Sequence, residues 1–200
     1  MKKAMLFAAG ILLLIGCKDN PVSEKIKETK RNVSNTSNVV KEMNKMGDDI
    51  NELQEMEPLT NEELKDWLPD EVEGMKRISY KAGQASYLKI GSIEAKYATE
   101  DKNKQFQITI LDGAGQMGAS ATAGIRMMLS QDFEEEDEYK TRRTVKHDGQ
   151  KAIEEYRKGD NNTDIQYLHD NRFFIQAKGK NMDVEETWDA IEEMDVDDLG

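Results

Sequence analysis

Residues 106–118 read FQITILDGAGQMG, and two interpretations of this stretch lead to two different folds. Gly113, Gly115 and Gly118 have the spacing of a dinucleotide-binding loop, after a strand and before a helix. In that architecture the strand lies in a parallel sheet covered on both faces, and it is apolar throughout. Here Phe106, Ile108 and Ile110 alternate with Gln107 and Thr109, which leaves one face wet. The next strand candidate, YKTRRTVKHDG (139–149), is polar and feeds a hairpin, so no second βαβ unit follows. The segment is read as a strand of an antiparallel sheet, and its glycines as an entry that lets a small-residue helix pack closely on that sheet. No dinucleotide cofactor is expected.

The same period of two extends on both sides. Ile78, Tyr80 and Ala82 alternate, as do Ile93, Ala95 and Tyr97, and four more strand candidates cover 139–147, 150–158, 163–169 and 172–179. Their connections, Asp148-Gly149, Gly159–Asn162 and Asp170-Asn171, suit tight turns that need positive φ. Helical signals punctuate the strands. Thr60 and Glu63 form a capping box ahead of Leu64, Trp67 and Leu68, with Pro69 as the stop. A small-residue helix is expected over 119–131, with Ala121, Ile125 and Met128 on one face. Asp183 and Glu186 cap a last helix that carries Val184, Trp188 and Ile191 inward. The expected fold over 58–200 is α+β: a largely antiparallel sheet of about six to seven strands with two or three packed helices.

Composition limits the function classes. The 200 residues hold 40 acidic and 28 basic side chains, a net charge of −12, with a mean hydropathy of −0.79. Such a chain repels phosphate backbones and anionic membrane surfaces, so neither nucleic acid nor electrostatic membrane attachment is expected. Membrane attachment is instead written at the N-terminus. Met1-Lys2-Lys3 is a positive start, and Ala4 to Ile15 is an apolar run too short to span a bilayer. Leu14-Ile15-Gly16-Cys17 ends the run and resembles the lipobox of bacterial lipoproteins. The resemblance implies a signal peptide over 1–16 that is removed, and a covalent lipid on Cys17 as the anchor. Loss of Lys2 and Lys3 takes the net charge from −12 to −14. Cys17 is the only cysteine, so no thiol is left for a disulfide, a metal or catalysis.

Lys18 after the cysteine, by resemblance to enteric sorting rules, implies the bacterial outer membrane, and Lys18-Asp19 partly resembles a Bacteroidetes export tag whose next acidic residue is here Asn20. The periplasmic or surface face stays open. RFFIQAKGKNMDVEETWDAI (172–191) is similar to the ending of PsbP and Mog1 type domains, and the chain from LPDEVEG (68–74) onward resembles envelope lipoproteins without assigned activity.

Residues 17–57 read as the lipidated cysteine, a polar tether and an amphipathic helix. Val39, Met43, Met46, Ile50 and Leu53 fall at steps of 4, 3, 4 and 3, a seam that either docks on the domain or self-associates. His147, Asp148, His169 and Asp170 read first as strand-end histidines with turn-forming aspartates and no metal, and as the alternative they are the metal candidates, because a meander of the late strands puts both turns on one rim. Asp160, Asn162 and Asp164 have the spacing of a calcium loop, but Ile165 stands where glycine is needed and Asn171 where glutamate belongs. The acidic runs FEEEDE (133–138) and DVDDLG (195–200) read as solvated faces. No nucleophile elbow or His-Glu-x-x-His motif is present. The expected function is a non-catalytic envelope lipoprotein that binds an envelope protein partner or a small apolar ligand between sheet and helices. The alternatives are a structural lipoprotein associating through 39–53, and an envelope enzyme with a metal at the His147/His169 rim.

Overall fold

A computed structural model describes residues 44–83 and 89–200. Cys17, the signal-like segment, and Val39 and Met43 of the seam lie outside the described residues. Lys45–Gly200 form one compact unit. Its helices are α1 (44–55), α2 (Asn61–Trp67), α3 (Gly115–Leu129) and α4 (Val184–Glu193). Its strands are β1 (Glu71–Val72), β2 (Met75–Ala82), β3 (Ser92–Ala98), β4 (Gln105–Asp112), β5 (Glu134–Glu136), β6 (Lys140–His147), β7 (Gln150–Arg157), β8 (Asn162–His169) and β9 (Phe173–Lys180). A 3₁₀ turn, Val196–Asp198, ends the chain.

The class is α+β, as the alternation implies, but the sheet has nine strands instead of six or seven. The additional strands are β1, two residues long, and β5, which lies inside the acidic run and is fully exposed. Neither has an inward-facing apolar series, so periodicity had nothing to register. The sheet order is β1-β2-β3-β4-β9-β8-β7-β6-β5, and every pairing is antiparallel. Two meanders therefore meet at a single seam, β4 against β9, where Ile108 faces Ala177 and Ile110 faces Ile175. The hairpin turns use the expected residues: Asp148 and Gly149 at φ 46° and 85°, Asn161 at 47°, and Asp170 and Asn171 at 46° and 55°.

Side-chain contacts fix which helix covers which face. Trp188 of α4 donates to Glu154 Oε1 at 2.9 Å, so α4 lies on the face of Ala152, Ile165 and Ile175. Leu64 of α2 and Leu68, which follows it, join the same core, with Tyr97, Phe106, Ile108 and Ile191 buried between the layers. Arg142, paired with Glu155 across the ladder, reaches Met128 Sδ of α3 at 3.7 Å. Since Glu155 and Ile153 point away from Glu154, α3 covers the opposite face. Both capping boxes form, Thr60 with Glu63 and Asp183 with Glu186. Hydrogen bonds from Thr60 hold the Glu63 carboxyl below its ordinary range, and an ion pair with Lys104 does the same first for Glu186.

Two inward faces differ from expectation. A bulge at Ile78 breaks the alternation of β2, and past Lys76 this strand is an edge with β3 alone beside it, so Ile78 is 51% exposed and Tyr80 43%. Helix α3 starts four residues early, at Gly115, and buries Gly118, Ala119, Thr122, Arg126 and Leu129, while Ala121 is exposed. Its buried guanidinium is held by Asn171, through the side-chain oxygen and the carbonyl. In the part of the α1 seam that is described, Met46 and Ile50 are half-buried and Leu53 is buried within the compact unit.

Asp112, at the end of β4, has no exposure and accepts four hydrogen bonds. They come from Arg172 Nε and Nη2, both at 2.8 Å, Leu59 N at 2.8 Å and Ala114 N at 2.9 Å. One carboxylate thus ties the β4–β9 seam to the segment before α2 and to the start of α3. The glycines around it are demanded by close approach. A Cβ at Gly113 would lie 2.5 Å from the Arg172 carbonyl oxygen, and one at Gly118 would lie 2.5 Å from that of Asp112.

These contacts separate the glycines of α3. Gly118→Ala should lower stability by about 1–3 kcal/mol, as for other overpacked sites. Gly124→Ala, whose Cβ would meet nothing within 4 Å, should raise it by up to about 1 kcal/mol. Urea midpoints of the two variants moving in the same direction would contradict this packing.

Candidate metal centre

The order β9-β8-β7-β6 brings the β6–β7 and β8–β9 turns to one end of the sheet, as the meander reading requires. Both histidines and Asp148 line one cleft there, about 310 Å³ in volume, closed on the other side by α4 and the C-terminal turn. The four residues named from sequence do not form one cluster. His147 Nε2, an Asp148 oxygen and a Glu192 oxygen all lie within 4.8 Å of one another, so the third donor is Glu192, from the end of α4. His169 Nε2 instead faces Asp170 Oδ2 at 3.6 Å and Asp197 Oδ1 at 3.4 Å. The split follows from spacing, because strands two places apart are about 10 Å distant, and a nearer carboxylate reaches His147 from α4 (Glu192) and His169 from the C-terminal turn (Asp197).

The His147 group is well oriented. Its ring stacks on Trp188 with centroids 3.9 Å apart and planes 7° apart. Trp188 is in turn fixed by its bond to Glu154, which also accepts from Arg143 Nε and Nη2 at 3.2 Å each. His147 Nε2 lies 3.2 Å from Glu192 Oε1 and 3.8 Å from Asp148 Oδ2. Donors on a tetrahedral zinc ion at about 2.0 Å are about 3.3 Å apart, so the first distance already fits and a small turn of Asp148 closes the second. An imidazole and two carboxylates suit zinc-class cations, and three protein donors leave a position for water or a partner's donor.

Deeper in the cleft, His169 is 3% exposed and its Nδ1 lies 3.5 Å from Gln150 Nε2. Gln150 Oε1 is buried with no hydrogen-bond partner among the described residues, an acceptor left over beside the cleft. Burial pushes the Tyr167 hydroxyl above its ordinary range, and the Asp197 charge adds to the shift, so this group stays protonated.

Sequence reasoning missed Glu192, Asp195 and Asp197. Glu192 is four residues after Trp188 and so lies on the same side of α4 at its exposed edge, but which strand end that side reaches is not written locally. DVDDLG is more than a solvated run. Leu199 is 5% exposed, the Asp195 carbonyl accepts from Trp67 Nε1 at 3.1 Å, and Asp197 reaches His169. The calcium-like spacing falls on the β7–β8 hairpin turn, with Asn162 opening β8. Of the dinucleotide-like glycines, Gly113 lies between β4 and α3, Gly115 opens α3 and Gly118 lies within it, and every strand pairing of β4 is antiparallel. Between the sheet and helices α2 and α4, where an apolar ligand would sit, Leu64, Phe106, Ile108, Ile175 and Ile191 are packed with little or no exposure. No helix among the described residues is long and apolar enough to cross a membrane. No family model matches the chain, and neither a curated protein nor a solved structure matches it.

Proposed function

We propose that this chain is a non-catalytic, lipid-anchored protein of the bacterial envelope that binds a divalent transition metal ion of the zinc class at the sheet rim. The observation that carries the metal reading is the convergence of His147, Asp148 and Glu192 from two separate segments, the β6–β7 turn and α4. A functional rim explains why α4 ends beside a histidine that its own tryptophan orients. The anchor rests on Cys17 and the twelve-residue run Ala4–Ile15, apolar but for Gly10, that precedes Gly16. The open fourth position gives the bound ion a way to engage a donor from an envelope protein partner.

Isothermal titration of the purified protein with zinc should show saturable binding of one ion. His147→Ala and Glu192→Gln should each weaken it by about tenfold or more. Absence of binding, or equal affinity in both variants, would refute the site. For the anchor, cells grown with labelled palmitate should yield labelled protein from the natural chain and none from Cys17→Ala. Equal labelling of the two would remove the lipoprotein reading.

A further inference from the structure

The face of the sheet that carries α3 is only partly covered. The helix meets this face chiefly over β7 and β8, with Arg142 of β6 reaching Met128, and toward Gln105, Asn162 and Lys180 the same face opens as a groove of about 330 Å³. The register lays out its floor. One row across the strands runs Lys96, Gln107, Lys178, Asp164, Glu155, and the next runs Gln105, Lys180, Asn162, Arg157. Four cations therefore share one surface with two carboxylates, in a chain whose acidic residues outnumber the basic ones 40 to 28.

The two carboxylates are already engaged. Asp164 accepts from Gln166 Nε2 at 3.0 Å and from Gln176 Nε2 at 3.0 and 3.1 Å. Glu155 pairs with Arg157 at 3.0 Å and lies 3.8 Å from Arg142. The lysines are left loosely matched. Lys178 is 3.8 Å from Asp164, Lys96 is 3.7 Å from Glu94, and Lys180 has no ion-pair partner among the described residues. Lys178 and Lys180 project from the same face of one strand about 7 Å apart, and Lys96 stands two strands from Lys178, about 10 Å away. Like charges held together on a sheet face repel, and an anion placed among them relieves that repulsion.

We propose that this groove binds a small polyanion carrying two phosphate groups, bridged between Lys178, Lys180 and Lys96, with Arg157 at one end and the amide of Gln107 on the floor. The chemistry is the same for a free diphosphate and for a diphosphorylated lipid headgroup. Binding here is independent of the rim, which lies at the other end of the strands.

The test is calorimetric titration of the purified, EDTA-treated protein with inorganic pyrophosphate at low and at physiological salt, beside co-sedimentation with phosphatidylcholine vesicles containing about one-fifth cardiolipin. Pyrophosphate should bind, more weakly at the higher salt. The double variant Lys178→Gln/Lys180→Gln, both exposed positions, should lose about tenfold or more in affinity. His147→Ala should bind pyrophosphate like the natural chain, which keeps this result separate from the fate of the metal site. Vesicle binding that the double variant loses, without pyrophosphate binding, would assign the groove to a headgroup. Binding of neither probe, or undiminished binding by the double variant, would overturn the proposal.

Discussion

The carboxylate of Asp112 is held by four hydrogen bonds at the joint of the sheet. It is fully buried, paired through two nitrogens with Arg172 and bonded to two backbone amides, from Leu59 and Ala114. The pair raises Arg172 above its ordinary pKa, chiefly through the hydrogen bonds to Asp112. The Arg172 guanidinium also lies over Phe173, 4.6 Å from the ring centre, so the cation is packed as well as paired. A buried charge in such a site is tolerated only while its partners stay in place, and removing one typically costs about 3–5 kcal/mol. Among the described residues β4 and β9 form the seam between the two meanders, and this contact locks one end of their ladder.

The candidate metal centre belongs to the same end of the sheet. Asp112 faces Phe173, Phe173 faces His169, and the turn between β8 and β9 is held from one side by Asp112 through Arg172 and from the other by Arg126 through Asn171. The turn that presents Asp170 is thus clamped at both of its remaining residues. On the far side of the rim, Glu154 fixes Trp188 and Trp188 fixes the His147 ring. The His147 ring, supported in this way, loses little freedom when it takes up an ion, while the exposed Asp148 turns to complete the site.

Much of this was legible in the sequence because one period dominates it. The alternation of Phe106, Ile108 and Ile110 ruled out a parallel sheet, and the Asp-Gly and Asp-Asn turns put His147 and His169 on one rim. Four things were not legible. The strands β1 and β5 carry no apolar series, and the bulge at Ile78 changes the phase of β2 within a single residue. Asp112 reads as the polar residue that closes a strand, and nothing local distinguishes it from a solvated aspartate, since its four donors come from residues 59, 114 and 172. The third rim donor, Glu192, is 45 residues from His147, and its role depends on where α4 lands.

The two faces of the sheet divide the work. The face under α2 and α4 is a filled core, and the other is half covered by α3 and otherwise polar. The joint between the meanders, and with it the geometry of the rim, rests on the pairing of Asp112 with Arg172. The most direct measurement is a double-mutant cycle on urea unfolding with Asp112→Ala, Arg172→Ala and the combined variant. The pairing described here requires a coupling of about 2 kcal/mol or more, with the double variant little worse than either single one. A coupling near zero, with the two losses simply adding, would show that the seam is held by something else.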